Sequence, residues 1–220
     1  KIALAQLNPL VGDVINNVNK LIEIRSNLPD DVDIIVAPEL YISGYPIDDL
    51  VLREDFLLLV EKQIEKLAKI TKDEKSAIIL GAPRKNNKEI RNSVFVLDGG
   101  KILTIRDKFE LPNTGVFDEQ RIFKPGSLSG PVNVKGIKIG LPICEDIWEE
   151  TVAECYAESG AEILIVINAS PFTMNKKNDR FSVAAARVHE TKIPLVYLNR
   201  VGGQDELIFD GSSFSLNATG

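Results

Sequence analysis

The sequence predicts an α/β fold in which helices cover mixed β-sheets. Short apolar runs alternate along the chain with segments whose apolar residues recur at helical spacing, which is typical of strands alternating with helices. Paired apolar runs that flank turn residues interrupt this alternation and indicate antiparallel hairpins. The chain has 220 residues, 44% of them apolar, and contains no internal repeat or low-complexity linker. We therefore expect residues 1–220 to form one domain.

The first half of the chain alternates regularly between strands and helices. Asp13 is expected to cap a helix because Val14, Val18 and Leu21 share one face after it. Pro38 ends the apolar run that precedes it, since proline cannot donate to a strand ladder. The predicted elements are a strand at 1–6, a helix from 14, a strand at 34–37, a helix at 53–71 and a strand at 77–80.

The second half adds hairpins to this pattern. Asp98-Gly99-Gly100 predicts a tight turn between two strands, and Asp210-Gly211 predicts a second such turn near the end of the chain. The predicted elements are a hairpin at 93–106, a strand at 137–143, a helix at 148–159, a strand at 163–167, a helix at 180–191, a strand at 195–198 and a hairpin at 206–216. The long loop 109–131 is expected to be functional or mobile, because compact domains rarely keep loops of that length.

Charge and composition exclude several classes of function. The formal net charge of −6 argues against a nucleic-acid or anionic-membrane surface. No apolar run approaches the roughly 20 residues that span a bilayer, and no signal-peptide pattern opens the chain, so we expect a soluble cytoplasmic protein. The two cysteines have no metal-type spacing and the chain has a single histidine, so no metal site is predicted.

Three chemically useful side chains follow predicted strands at equivalent places. Glu39 follows the strand at 34–37, Lys108 follows the second strand of the 93–106 hairpin, and Cys144 ends the strand at 137–143. Ligands of open α/β sheets gather beyond the carboxyl ends of strands. If these strands are neighbours, the three side chains converge in one pocket.

Cys144 is the candidate nucleophile because it stands between a strand and a helix, where a sharp elbow can expose a thiol. A nearby Lys108 would lower the pKa of the thiol and favour a thiolate, and Glu39 could accept its proton. The alternatives are a small buried cysteine, an acid that caps a loop and a solvated lysine. Cys155 is expected to be a packing residue of the following helix, and His189 a helix-surface residue.

These residues occur in motifs that resemble those of the nitrilase superfamily, in the same order. The motifs are Ala37-Pro38-Glu39-Leu40, Asp107-Lys108 with Leu111-Pro112-Asn113, and Pro142-Ile143-Cys144-Glu145-Asp146. Within that superfamily, residues 44–50, 115–119, 121–123 and 144–148 are most similar to the glutaminase domain of glutamine-dependent NAD synthetases. The resemblance covers nearly the whole chain.

The resemblance implies a four-layer α-β-β-α sandwich that hydrolyses the side-chain amide of glutamine through a cysteine thioester. It implies that Glu39 is the general base, Cys144 the nucleophile and Lys108 the oxyanion stabiliser, with Glu119 as a supporting acid. The ammonia would supply a synthetase domain. The glutaminase reaction needs no cofactor, and ATP and Mg are expected only in that synthetase domain.

The resemblance also implies a set of substrate-binding residues, namely Phe117, Glu145, Ser170 and Lys176. Glu145 can attract the ammonium group of glutamine and Lys176 its carboxylate, although a helix-start acid and a loop lysine would look the same. One departure is Thr114, which stands where the family usually has tyrosine. This puts the preference for glutamine in question.

The sequence leaves three interpretations open. No synthetase domain follows within the chain, so we expect a C-terminally incomplete glutaminase domain whose partners are glutamine, a synthetase domain and further copies in a homo-oligomer. A stand-alone nitrilase-type amidase acting on a small ω-amide or carbamoyl compound is the first alternative. A non-catalytic module of the same fold is the second.

Overall fold

The computed structural model describes residues 1–220 and contains two five-stranded sheets. The strands of the first sheet are β1 (Ile2–Leu4), β2 (Ile34–Val36), β3 (Ala77–Asn86), β4 (Glu89–Asp98) and β5 (Lys101–Asp107). They lie in the order β1-β2-β3-β4-β5. The first three pair in parallel, and β3, β4 and β5 continue as an antiparallel meander. The sheet is therefore mixed, as the sequence predicts.

The second sheet has a parallel centre and two antiparallel edges. Its strands are β6 (Val132–Val134), β7 (Ile137–Gly140), β8 (Ile163–Asn168), β9 (Leu195–Asn199) and β12 (Phe214–Leu216), while β10 (Val201–Gln204) and β11 (Leu207–Asp210) form a separate hairpin. The order across the sheet is β12-β9-β8-β7-β6. Because β7, β8 and β9 are parallel, their carboxyl ends meet at one edge.

Helices cover the outer face of each sheet. They are α1 (Val14–Ser26), α2 (Glu54–Ile70), the single turn α3 (Glu119–Ile122), α4 (Glu150–Glu158) and α5 (Lys176–Thr191). Helices α1 and α2 bury their apolar faces on the first sheet, and α4 and α5 bury theirs on the second. The layers run helix, sheet, sheet, helix, which confirms the expected α-β-β-α sandwich. No helix is both long enough and apolar enough to cross a bilayer.

The alternation of side chains along each strand builds the layers. In β2, Ile35 packs toward α1 and α2, while Ile34 and Val36 pack toward the second sheet. In β8, Ile165 packs toward the first sheet and Leu164 toward α4 and α5. Both faces of these central strands are buried, and for this reason their sequences are continuous apolar runs.

The prediction of a C-terminal hairpin at 206–216 is wrong. Strand β11 pairs with β10 across a turn at Asp205, whose φ is +49°, and β12 pairs with β9 in the second sheet. Asp210-Gly211 therefore does not join two paired strands. Instead, the Gly211 N–H donates to the Arg200 carbonyl and the Asp210 carboxylate accepts from Arg180, so this segment crosses from one sheet to another.

Other elements differ from their predicted bounds. Strand β6 was not predicted, because Val132-Asn133-Val134 is short and, unlike β2, is not a continuous apolar run. The strand predicted at 137–143 ends at Gly140, although Ile143 still forms a bridge with Ile167. Helix α5 begins four residues earlier than predicted, at Lys176, and Cys144–Ile147 forms a short 3₁₀ turn ahead of α4. These shifts matter because they lie around the candidate site.

Candidate active site

A buried cluster of one cation and two carboxylates lies beyond the strand ends of the first sheet. Lys108 directly follows β5, and its Nζ donates to Glu39 Oε1 at 2.7 Å and to both oxygens of Glu119 at 3.0 Å. The side chains of Lys108 and Glu39 are each 1% exposed, and that of Glu119 is 5% exposed. Residues that are distant along the chain therefore meet out of contact with water.

Both oxygens of Glu39 have further partners. The Asn92 Nδ2 donates to Glu39 Oε1 at 2.8 Å, and the backbone N–H of Ala169 donates to Glu39 Oε2 at 2.9 Å. Asn92 belongs to β4 of the first sheet, whereas Ala169 follows β8 of the second. The carboxylate is thus held from both sheets, which fixes its orientation between them.

A glycine makes room for the backbone that carries Glu39. A Cβ added to Gly81 of β3 would lie 2.3 Å from the Leu40 nitrogen and 2.7 Å from Glu39 Cα. No other residue fits there without a shift of the main chain. Leu40 itself has a φ of +47°, an unfavourable value for a residue with a side chain. The surrounding residues therefore hold the segment after β2 in a backbone conformation that Leu40 would not adopt by itself.

Cys144 lies at a sharp elbow between the second sheet and α4. Its φ is +46°, and it opens the 3₁₀ turn Cys144–Ile147. The preceding Ile143 bridges Ile167 of β8, so the elbow starts from the sheet edge. Left-handed backbone in a non-glycine residue costs on the order of 1–2 kcal/mol and persists only when its surroundings impose it.

The expectation that Lys108 gives Cys144 a low pKa is wrong in net direction. Burial raises the pKa of the Cys144 thiol well above its usual value, the charge of Glu39 adds to this, and Lys108 only partly opposes both. Burial lowers the pKa of Lys108, but Glu119 and Glu39 outweigh burial and hold it well above its usual value. The resting site consequently contains a neutral thiol within range of the charge of a cationic amine.

Glu119, which binds Lys108, is itself held by Tyr45. The Tyr45 hydroxyl donates to Glu119 Oε1 at 3.2 Å, and burial raises the pKa of Tyr45 well above its usual range, with Glu119 and Glu39 adding to the effect. The buried Arg200 guanidinium donates to the Tyr45 carbonyl at 2.6 Å and stacks over the Phe209 ring at 4.4 Å. Tyr45 and Arg200 were not predicted as site residues.

Glu145 follows Cys144 at the elbow and lies within range of the charge of Lys176, the first residue of α5. Burial raises the pKa of Glu145, while the charges of Lys108 and Lys176 act to lower it. The Lys176 Nζ lies 3.9 Å from the centre of the Trp148 ring, a cation–π contact that fixes the ammonium group. The charge of Glu145 also acts on the Cys144 thiol and raises its pKa.

Ser170 is buried on the loop that follows β8. Its Oγ accepts a hydrogen bond from Arg180 Nε at 3.0 Å, and Arg180 also donates to the carbonyls of Ser170 and Pro171. Asp210 holds the same guanidinium at 2.7 Å. The Ser170 oxygen accepts from Arg180, so its own hydroxyl can still donate one hydrogen bond, and the buried Tyr197 hydroxyl is one acceptor within reach.

The remaining candidates lie on the loop after β5. Phe117 is half-buried and packs against the core between the first sheet and its helices. Thr114 is exposed, and its carbonyl accepts the N–H of Phe117 at 3.1 Å. Thr114 therefore shapes this loop through its backbone. Cys155 is half-buried in α4 and His189 is exposed on α5, as expected.

Besides Tyr45 and Arg200, sequence reasoning missed three polar residues around the site, namely Asn92, Arg180 and Asp146. Asn92 and Arg180 are polar residues within regular elements, where no motif distinguishes them. Asp146 stands inside the motif around Cys144, yet only the structure gives it partners: its carboxylate accepts three backbone N–H groups. No group of His, Cys, Asp or Glu side chains is arranged to hold a metal ion.

The comparisons with known proteins agree on one family. The model of the carbon-nitrogen hydrolase family matches residues 1–220. The chain is 39% identical to the glutamine-dependent NAD(+) synthetase of Rhodobacter capsulatus and 38% identical to that of Thermotoga maritima, and each match covers 100% of this chain. These matches cover 40% and 38% of the two relatives, so the chain spans about two fifths of their length.

Solved structures show the same architecture. The glutamine-dependent NAD+ synthetase of Acinetobacter baumannii superposes with a TM-score of 0.93 at 34% identity, over 99% of this chain and 41% of that one. An amidase from Nesterenkonia sp. superposes with a TM-score of 0.86 at 21% identity, over 99% of this chain and 82% of its own. At that identity, the amidase is evidence for the fold alone.

Proposed function

The chain belongs to the carbon-nitrogen hydrolase family, and we propose that it hydrolyses the side-chain amide of glutamine through a thioester on Cys144. The observation that carries this proposal is the buried contact of Lys108 with Glu39 and Glu119, whose charges all act on the Cys144 sulfur. A nucleophile, a base and a cation are the three groups that acyl transfer from an amide needs.

The proposed first step is attack of Cys144 Sγ on the amide carbon. Because the resting thiol is neutral, a base must take its proton as the bond forms. Glu39 Oε1 already accepts from Lys108 and Asn92, whereas Oε2 accepts only from the Ala169 N–H. Oε2 therefore keeps a free lone pair, and we assign the proton to it.

Charge then develops on the carbonyl oxygen of the substrate. The Lys108 ammonium would stabilise this oxyanion, together with the backbone N–H of Glu145 at the elbow. Glu39 would return its proton to the leaving nitrogen, which releases ammonia and leaves the glutamyl thioester on Cys144. Water activated by Glu39 then cleaves the thioester, yielding glutamate and the free thiol.

Glutamine recognition is assigned to charges beside the elbow. Glu145 is proposed to bind the substrate ammonium group, and Lys176, held on Trp148, its carboxylate. The Ser170 hydroxyl has a hydrogen to donate, and Phe117 would line the apolar side of the pocket. The ion pairs fix both ends of the amino-acid group, which leaves the amide to face Cys144.

The relatives' names suggest where the ammonia goes. They are glutamine-dependent NAD(+) synthetases, and the chain matches about two fifths of their length. We propose that residues 1–220 are the glutaminase part of such a protein and that a synthetase part, the site of ATP and Mg binding, consumes the ammonia. We also expect a homo-oligomer that works in the cytoplasm.

Ammonia release from glutamine tests the chemistry. Cys144→Ala is expected to lose the activity, because no other group can form the thioester. Cys155→Ala is the matched control and should keep it, since Cys155 packs within α4. Equal rates for Cys144→Ala and the unaltered protein would overturn the mechanism. A panel of small ω-amides and carbamoyl compounds, tested in parallel, reveals the amidase alternative if one of them reacts faster than glutamine.

Labelling tests the site independently of turnover. An electrophilic glutamine analogue should modify Cys144 and spare Cys155, as read by mass spectrometry of the digested protein. Modification of Cys155 alone would refute the assignment. If no amide reacts and Cys144 is inert to the analogue, the non-catalytic alternative gains support.

A further inference from the structure

We propose that Asp146 is a positioning residue that holds the Cys144 elbow against the segment carrying Lys108. The inference rests on the proposed hydrolysis at Cys144, but its geometry stands independently of the substrate. Asp146 does not point at reacting atoms; it acts through the backbone on either side of two residues that do.

The carboxylate of Asp146 joins two distant segments of the chain. Its Oδ1 accepts the N–H groups of Phe109 at 3.0 Å and Glu110 at 2.8 Å, and its Oδ2 accepts the N–H of Ile143 at 2.9 Å. Phe109 and Glu110 come directly after Lys108, and Ile143 comes directly before Cys144. One side chain therefore connects the neighbours of the cation with the neighbour of the sulfur.

These two segments belong to different sheets. Lys108 follows β5 of the first sheet, while Ile143 bridges Ile167 of β8 in the second. Apolar contacts between the sheets have no preferred direction, whereas the three hydrogen bonds that Asp146 accepts from backbone N–H groups do. Asp146 thus ties the segment that follows the cation to the residue that precedes the sulfur.

Asp146 also closes the strained turn. Its own N–H donates to the Ile143 carbonyl at 3.0 Å, while its side chain accepts the Ile143 N–H, so Ile143 is bound at both of its backbone groups. Between these two residues lies Cys144 with a φ of +46°. This closed turn opposes relaxation of Cys144 to an ordinary backbone conformation.

Asp107 is a neighbouring acid whose hydrogen bonds stay within one sheet. Asp107, next to Lys108, binds Arg84 at 2.7 Å and the Ser93 hydroxyl at 2.7 Å, both within the first sheet. Asp107 therefore fixes the end of β5 but has no bond to the elbow. The distinguishing feature of Asp146 is that its partners lie on both sides of the site.

Asp146→Asn is the test, because the amide keeps the size of the side chain but replaces one acceptor oxygen with a donor that faces backbone N–H groups. For glutamine hydrolysis we expect kcat to fall about tenfold or more, with KM within about threefold, because substrate charges still meet Glu145 and Lys176. Asp73→Asn is the matched control. Asp73 binds Arg25, away from Cys144, so its loss should lower stability and leave kcat unchanged.

The rate at which iodoacetamide alkylates Cys144 is a second measurement. This rate would not change if Asp146 only stabilised the fold. Relaxation of the elbow brings the buried Cys144 thiol toward water and lowers its raised pKa, so the alkylation rate of Cys144 should rise about tenfold while kcat falls. The rate at Cys155 should stay the same. This readout needs no substrate, so it still tests the inference if glutamine is not hydrolysed.

The outcomes separate positioning from folding. Far-UV circular dichroism and urea unfolding give the folded fraction, and all rates are expressed per folded molecule. If kcat and Cys144 alkylation per folded molecule both match the unaltered protein, Asp146 only stabilises the fold and the inference is overturned. If Asp146→Asn does not fold, Glu110→Pro removes the donor at 2.8 Å and leaves the carboxylate in place. Unchanged kcat and alkylation in that variant would equally refute the proposal.

Discussion

Replacing Lys108 with methionine removes the only cation among two buried carboxylates. Methionine fills the space of the lysine stem but cannot donate. In the unaltered protein, Lys108 Nζ lies 2.7 Å from Glu39 and 3.0 Å from Glu119. The substitution leaves Glu39 and Glu119 as close neighbours without a counter-charge. Since all three side chains are almost inaccessible to water, solvent cannot compensate for the loss.

The expected cost depends on pH. Removing one partner from a buried ion pair typically costs about 3–5 kcal/mol of stability. Burial and the charge of Glu39 already raise the pKa of Glu119, and Lys108 opposes them. Without Lys108, the folded-state pKa rises further above the unfolded value. Stability from such a group is present at low pH and is lost as pH rises through the folded pKa. Lys108→Met should therefore lose more stability at pH 8 than at pH 5.

Urea unfolding at the two pH values measures this difference. Adding Glu119→Gln to Lys108→Met removes one of the two like charges and should restore part of the stability at pH 8. It should not restore ammonia release, which we expect to be about 10²–10³-fold lower for want of an oxyanion partner. A loss of stability that is equal at pH 5 and pH 8 would show that Lys108, Glu39 and Glu119 are not electrostatically coupled, and would refute the reasoning.

Three further substitutions test other parts of the structure. Gly81→Ala places a Cβ 2.7 Å from Glu39 Cα, so stability measured by urea unfolding should fall by about 1–3 kcal/mol and ammonia release should fall with it; unchanged activity would contradict this. Asn92→Leu removes the donor to Glu39 Oε1, and we expect kcat to fall about tenfold while KM changes little. The Arg25 guanidinium lowers the pKa of Asp73 to about 2, so this pair contributes stability above pH ~4 that is lost as pH falls toward 2. Because the Asp73 side chain is 39% exposed, Asp73→Asn should cost only about 1 kcal/mol at pH 7, and its unfolding curve should meet that of the unaltered protein near pH 2.

The sequence predicts the layers well because burial on both faces produces an unmistakable pattern. Continuous apolar runs such as residues 163–167 are typical of central strands when helical segments flank them. The C-terminal hairpin was misplaced because Asp210-Gly211 indicates a turn but does not indicate which strand the following segment pairs with. The choice of partner depends on Arg180 and Arg200, which reach this segment only in the folded chain.

For the candidate site, the positions of Glu39 and Lys108 after strands pointed to their convergence, but they did not predict the direction of the pKa shift of Cys144. Glu39 and Lys108 follow strands whose ends meet at one edge of the sheet, but β3 and β4 lie between these strands, so the sequence could state the convergence only as a condition. The pKa of Cys144 could not, because its direction depends on how completely the thiol is buried. Asn92 lies inside β4, where a polar residue has no sequence context that separates a partner of Glu39 from a strand-edge side chain.

The hydrogen-bond count at Lys108 explains why the site has two glutamates. The ammonium group has three hydrogens, and it lies within 3.0 Å of three carboxylate oxygens, one on Glu39 and two on Glu119. A substrate oxyanion can gain a hydrogen bond from Lys108 only if one of these contacts is released. Releasing one oxygen of Glu119 leaves the other in place, so the charge stays paired while a donor becomes free. Tyr45 donates to Glu119 Oε1 at 3.2 Å and would keep that oxygen satisfied when Lys108 turns away from it. By this reasoning, we propose that Glu119 holds the cation ready for the substrate, while Glu39 remains oriented to accept the proton of Cys144.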